Sequence, residues 1–223
     1  MCTFNFNEDQ KLRRYIMEEF SSEDWQQAYD FLKAGEKTGN DKPTVINLDN
    51  GERYPDGIYI CYEDGYKALF DGKNSKDRVS HIGIVMGSKM LGVALDHRGE
   101  YSLPRLDDED EFDGYIDNST DAVADYAGKE KTERFRKSGE LDFDLKDDEW
   151  LPSIGELYLI FINKKRINEA LAYVGGDKLQ GWHWSVTEYS AAYAWFLIFS
   201  SGHLYSYNVS KNYTNSVRAV CAF

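Results

Sequence analysis

The residues of this chain best suited to nucleophilic or metal chemistry are three cysteines and four histidines, and their spacing favours neither. Cys2, Cys61 and Cys221 are odd in number and far apart, which argues against a disulfide framework and against a zinc knuckle. Cys221 alternates with Val220 and Ala222 in a strand-like run, so it and Cys61 are expected as buried free thiols that behave as small hydrophobes. His81, His97, His183 and His203 show no HExxH or comparable ligand spacing. His183, between Trp182 and Trp184, has the character of a general base, but no serine or cysteine nucleophile motif accompanies it. An enzyme pairing His183 with Glu188 or Asp177 is the one catalytic reading left, and it ranks below binding. No catalytic residue, metal ligand or cofactor is assigned.

Carboxylates crowd residues 107–117, which invites a calcium loop. With Gly114 at the sixth position of an EF-hand, Glu109 falls first, Glu111 third and Thr120 twelfth, so the bidentate glutamate is missing. The simpler expectation is a solvated acidic face. No GxGxxG, P-loop or nucleophile elbow occurs.

The tail has a different chemistry. No Asp or Glu occurs after Glu188, although the chain holds 39 and even scatter would put about six there. Half of the residues from Tyr189 to Ser216 are Tyr, Ser or Asn. Recognition loops share this composition, because tyrosine offers contact area at low entropic cost and serine and asparagine offer adaptable hydrogen bonds. In a strand over 195–199, Trp195, Leu197 and Phe199 face one way and Phe196 and Ile198 the other. We assign the first set, with Trp184, to the core, and expect Phe196 and Ile198 to join His203, Tyr205 and Tyr207 in an exposed patch.

The elements that must carry this surface follow from periodicity. Residues 8–32 have apolar positions at helical spacing and form a helical preface within a segment 1–43. From residue 44 to 223 the pattern is that of one main domain: strands at 45–48, 57–62, 79–86 and 90–95, a helix near 120–137, and another opened by Ser153 and Glu156 at capping-box spacing. A helical stretch through 167–174 ends at Gly175 and Gly176. Residues 200–202 form a hairpin turn, and a closing strand over 216–223 ties down the end of the chain. Helices interrupt strands irregularly, which indicates α+β rather than doubly wound α/β.

A formal net charge of −13 opposes a nucleic-acid partner held through phosphates. No apolar run is long enough to cross a bilayer as a helix. The first residues lack a basic start followed by an apolar stretch, so the expectation is cytoplasmic synthesis without a visible signal peptide, or a leader already removed.

From Trp184 to Phe223 the run WSVTEYSAAYAW, then FSSG, then Lys211, then VRAVCAF resembles the C-terminal pattern of variable proteins of diversity-generating retroelements and related C-type-lectin-like domains. Upstream, WLPSIGEL at 150–157, then 167–171 and Gly175-Gly176, resemble the helix and turn that precede it. The resemblance implies a C-type-lectin-like scaffold of the formylglycine-generating-enzyme type, with mixed and antiparallel sheets, flanking helices and a variable region at 182–223. It gives framework roles to Trp184, Ser185, Thr187, Glu188, Ala194, Trp195, Phe199, Gly202, Val217, Arg218 and Val220. Ligand-contact roles go to Tyr189, Ala191, Ala192, Tyr193, Phe196, Ile198, His203, Tyr205, Tyr207, Asn208, Asn212 and Tyr213. The diversification that it implies cannot generate Trp or Lys, and of the residues from Tyr189 to Ser216 Trp195 and Lys211 stand at framework positions. Val186 and the pair Trp182-His183 depart from the pattern.

The function expected from these readings is a non-enzymatic receptor-binding or adhesion protein on a virion or cell surface, whose C-terminal face holds a protein or glycan ligand. The alternative is a virion or fimbrial subunit that uses the same aromatic face for assembly, so an oligomer is also allowed.

Overall fold

The computed structural model describes residues 54–106, 112–139, 141–202 and 210–223, with the backbone alone at 204–205. The expected strand at 45–48 and the helical preface lie outside them. Among these residues eleven strands and four helices build two sheets with helices packed on them, an α+β arrangement.

The first sheet has the order β2-β1-β3-β4-β11-β6 and is antiparallel throughout. Its centre is β1 (Gly57–Tyr62), β3 (Val79–Met86) and β4 (Lys89–Ala94), close to the runs that alternation predicts. Gly87, at φ 58, supplies the left-handed residue of the tight β3–β4 turn. The edges are β2 (Lys67–Leu69) and β6 (Glu149–Trp150). The second sheet is mixed, in the order β5-β10-β7-β8-β9. It holds β5 (Glu100–Tyr101), β7 (Trp182–Ser190), β8 (Tyr193–Ile198) and β9 (Leu204–Tyr205), with β10 (Asn215–Ser216) parallel to β7. The expected closing strand is in fact two: β10 joins the second sheet, and β11 (Val220–Cys221) crosses to the first.

The predicted helix near 120–137 is broken into α1 (Ser119–Ala124) and α2 (Gly128–Ser138). The break holds Asp125, whose buried carboxylate accepts from Lys131 Nζ at 2.7 Å and Thr187 Oγ1 at 2.6 Å. This polar knot fastens α1, α2 and β7 together, and continuing the helix would unmake it.

Helix α3 (Ile154–Ile162) starts where the capping box puts it. Ser153 Oγ accepts from Glu156 N, and the Glu156 carboxylate accepts from Ser153 N at 2.8 Å. Residues 154–160 are all buried, because α3 is covered by α1 and α4 and by β7 and β8. Asn163 ends α3 by donating to Leu159 O at 2.9 Å, and α4 (Lys164–Val174) follows against β1 and β3 until Gly175, at φ 89, closes it. Cys61 and Cys221 are buried free thiols, as expected, and burial pushes both up to about 12, out of the range of a reactive thiolate.

Candidate ligand-binding surface

The strand pair β7–β8 carries four of the twelve proposed contact residues and six of the eleven framework residues. Trp184 lies opposite Phe196, His183 opposite Leu197 and Trp182 opposite Ile198. One face of the pair, with Trp184, Val186, Ala194 and Phe196, is covered by Leu103, Leu106, Phe135, Phe143, Leu151 and Val217. On the other, His183 meets Phe199 edge-on at 4.7 Å and Phe199 meets Phe161 of α3 at 6.3 Å.

Phe196 is therefore a correction. Expected on an exposed patch, it is 1 % exposed, and Ile198 is half-buried against the same cluster. The physical cause is a second cover. The segment 101–106 and the chain around Phe143 and Leu151 lie over the face that alternation alone leaves open. Both phases of an apolar strand are then core, as happens in strands buried on two sides.

Of the other proposed contact residues, Tyr213 is 63 % exposed, Tyr193 is 37 % exposed, and Asn212 is exposed. Tyr189, Ala191 and Ala192 are half-buried. His203, Tyr207 and Asn208 lie outside the described residues, and of Tyr205 only the backbone, paired with Phe196, is described. The structure brings two stretches together: Lys211 N donates to Ala192 O at 3.0 Å and Tyr193 bridges to Ser210. Beneath them Glu188 is gripped by Lys211 Nζ and Arg134 Nη1, with Glu188 and Lys211 almost completely buried. All eleven residues given framework roles are buried.

The geometry adds a place that sequence reasoning missed. Strands β5, β10 and β7 begin or end together, with Ser216 opposite both Glu100 and His183. Their ends form a groove of about 950 Å³ lined by His97, Gly99, Glu100, Gln180, Gly181, Trp182, Tyr213, Thr214, Asn215 and Ser216. Trp182 is 49 % exposed, and its indole lies nearly parallel to the Phe196 ring, 5.3 Å away at 15°. Only Tyr213 of this set was proposed as a contact. The departure at Trp182-His183 from the family pattern was the one trace in the sequence of a different use.

Behind the groove sits a buried cationic anchor. Arg218 donates to Ala94 O, Leu95 O and Asp177 O at 2.6–2.9 Å and approaches His97 Nε2 at 3.1 Å. It thereby ties segment 94–97 to segment 177–178, using the several donors of a guanidinium. His183 lies 5.1 Å from His97, fully buried, and burial together with His97 and Arg218 pushes it down to about 3. A general base must reach its substrate, and His183 meets no solvent; of its two suggested partners Glu188 is held by two cations, and Asp177 is exposed and accepts from His97 N at 3.1 Å.

No family model matches this sequence, and no curated protein matches it. The fold is similar to that of a fimbrial protein. That protein is from Bacteroides ovatus, and the likeness covers 80 % of this chain at 15 % identity with a TM-score of 0.58. This chain spans about half of it, 52 % of its length. At that identity the likeness is one of fold alone.

Proposed function

We propose that this chain is a surface-displayed, non-enzymatic subunit of the fimbrial or virion kind, and that it holds a ligand in the groove at the end of the second sheet. The observation that carries this reading is the exposed pair Trp182 and Tyr213 lining one open groove, on a scaffold that buries His183 completely and holds Glu188 between two cations. The likeness to a fimbrial protein supports placing it at a surface. Among the described residues no helix is long and apolar enough to cross a membrane, so attachment through such a helix is no part of the proposal.

Surface labelling tests the placement. An antibody against the chain, or biotinylation of intact cells or virions that carry the gene, should mark it on the outside, and labelling only after lysis would refute the placement. Light scattering on the purified chain then separates the two uses of the aromatic rim. A monomer at micromolar concentration supports ligand capture; a stable oligomer that protects Trp182 and Tyr213 supports assembly.

The scaffold we propose is the C-type-lectin-like one, and the resemblance of the tail to variable proteins supports a diversifiable rim. Its surface members would be Tyr193, Asn212 and Tyr213, with Tyr189, Ala191 and Ala192 partly accessible and Phe196 excluded by burial. A reverse-transcriptase gene and an imperfect repeat of the coding end beside this gene are the expected signs, and their absence would end the diversification proposal.

A further inference from the structure

We infer that the ligand of the groove is a neutral glycan, stacked by a sugar-ring face on Trp182. This rests on the ligand-binding reading above and names the chemical class that the site would accept.

The indole of Trp182 is a prepared platform. One of its faces is stacked on Phe196, which itself meets Trp184 edge-on at 6.0 Å, while about half of the residue is open to solvent, 49 %. Gly181, at φ 76, makes the turn that delivers Trp182 to the rim. Gly99 also lines the groove, and a side chain there would have its Cβ 2.9 Å from the Tyr101 ring. Preorganised rings bind with less ordering cost than mobile ones.

The polar groups around the platform define the ligand further. Gln180 and Asn215 offer amides, Glu100 a carboxylate, and no Lys or Arg lines the groove among the described residues. Phosphate, sulfate and carboxylate ligands find no cation there, and the net charge of −13 repels them. A purely apolar ligand would leave these amides and the carboxylate dehydrated without partners, at about 1–3 kcal/mol each. Asn215 is almost completely buried at the wall with its Nδ2 enclosed, so the polar side chains that a ligand meets first are the exposed Gln180 and Glu100. A pyranose satisfies both requirements at once, with axial C–H bonds on one face and hydroxyls that accept and donate around its edge. The volume, at the upper end of the roughly 300–1,000 Å³ typical of ligand pockets, suits several sugar units rather than one.

The test uses the whole chain and a panel of neutral oligosaccharides (β-1,4-linked glucose, α-mannose, β-galactose and N-acetylglucosamine oligomers), with sialyllactose and a heparin hexasaccharide as charged controls. Binding is read by isothermal titration and tryptophan fluorescence. At least one neutral series should bind with a Kd below about 1 mM and shift the emission. Trp182→Ala should lose about tenfold or more, Trp182→Phe less, and the thermal midpoint of Trp182→Ala should fall by only about 2–6 °C, so that the chain is folded at the titration temperature. Chelation of divalent ions should change nothing. No neutral binder in the panel, undiminished binding by Trp182→Ala, preference for the charged controls, or burial of Trp182 by a second copy of the chain would each overturn the inference. A chain that is labelled at the surface yet binds none of these sugars loses the glycan assignment alone, whereas failure of surface labelling strikes the wider proposal.

Discussion

Replacing Phe196 with alanine separates a core ring from a contact ring. At 1 % exposure the side chain returns nearly all its apolar area to water on unfolding, worth about 2–3 kcal/mol by transfer, and the cavity left in a packed cluster brings Phe→Ala changes to about 3–5 kcal/mol. The ring also touches Trp182 at 5.3 Å and Trp184 at 6.0 Å, and each such pair adds about 0.5–1.5 kcal/mol beyond area. We expect a loss of about 4 kcal/mol, a large share of the roughly 5–15 kcal/mol a domain has, and a fall in Tm on the order of 10 °C. Urea denaturation followed by far-ultraviolet circular dichroism measures it, with Tyr213→Ala as the exposed control, expected within about 0.5 kcal/mol of the parent. A Phe196→Ala cost under about 1 kcal/mol would mean that the ring is on the surface and that the two-sided burial of β8 is wrong.

Three further perturbations follow from the same packing. Acidification should destabilise the chain: burial pushes His183 down to about 3 and His81 to about 4, so both stay neutral when folded but protonate near 6.5 when unfolded. Their contribution is whole above pH 6.5 and falls below it, by about 2 kcal/mol each at pH 5. Glu156, raised to about 7 by burial, works in the opposite sense and returns about 2 kcal/mol between pH 7 and pH 5, so Glu156→Gln should steepen the acid loss in urea melts at those two values. Gly155→Ala should lower the thermal midpoint despite alanine's better helix propensity, because the new Cβ would stand 2.3 Å from Asp125 O and 2.8 Å from Val123 O; a rise would refute that contact. Lys211→Met should cost about 3–5 kcal/mol by leaving the Glu188 carboxylate buried beside Arg134 alone, and adding Glu188→Gln should recover a good part of it in the same denaturation assay.

Much of the fold could be read from local chemistry. The alternation in 57–62 and 79–86 matched β1 and β3 residue for residue, and Ser153 with Glu156 placed the start of α3, because in each case the signal and the structure lie in one short stretch. What escaped depends on segments distant in sequence. Phe196 is covered by residues some ninety positions earlier, and β10 and β11 part company because each answers to a different sheet. The groove is assembled from 97–100, 180–182 and 213–216, and only the last of these lies in the acid-free stretch whose composition suggests binding. Tyr213 was found because tyrosine in an acid-free stretch is already suggestive; Trp182, though inside the variable region 182–223, received no contact role because the Trp182-His183 pair departs from the family pattern.

The position of β11 between β4 and β6 also has a bearing on biosynthesis. Both neighbours leave the ribosome long before residues 220–221 do, so each must wait with a row of unpaired amides and carbonyls until the filling strand arrives. A nascent chain stalled short of that point would present two sticky sheet margins, and truncation there should yield inclusion bodies rather than a slightly weakened protein.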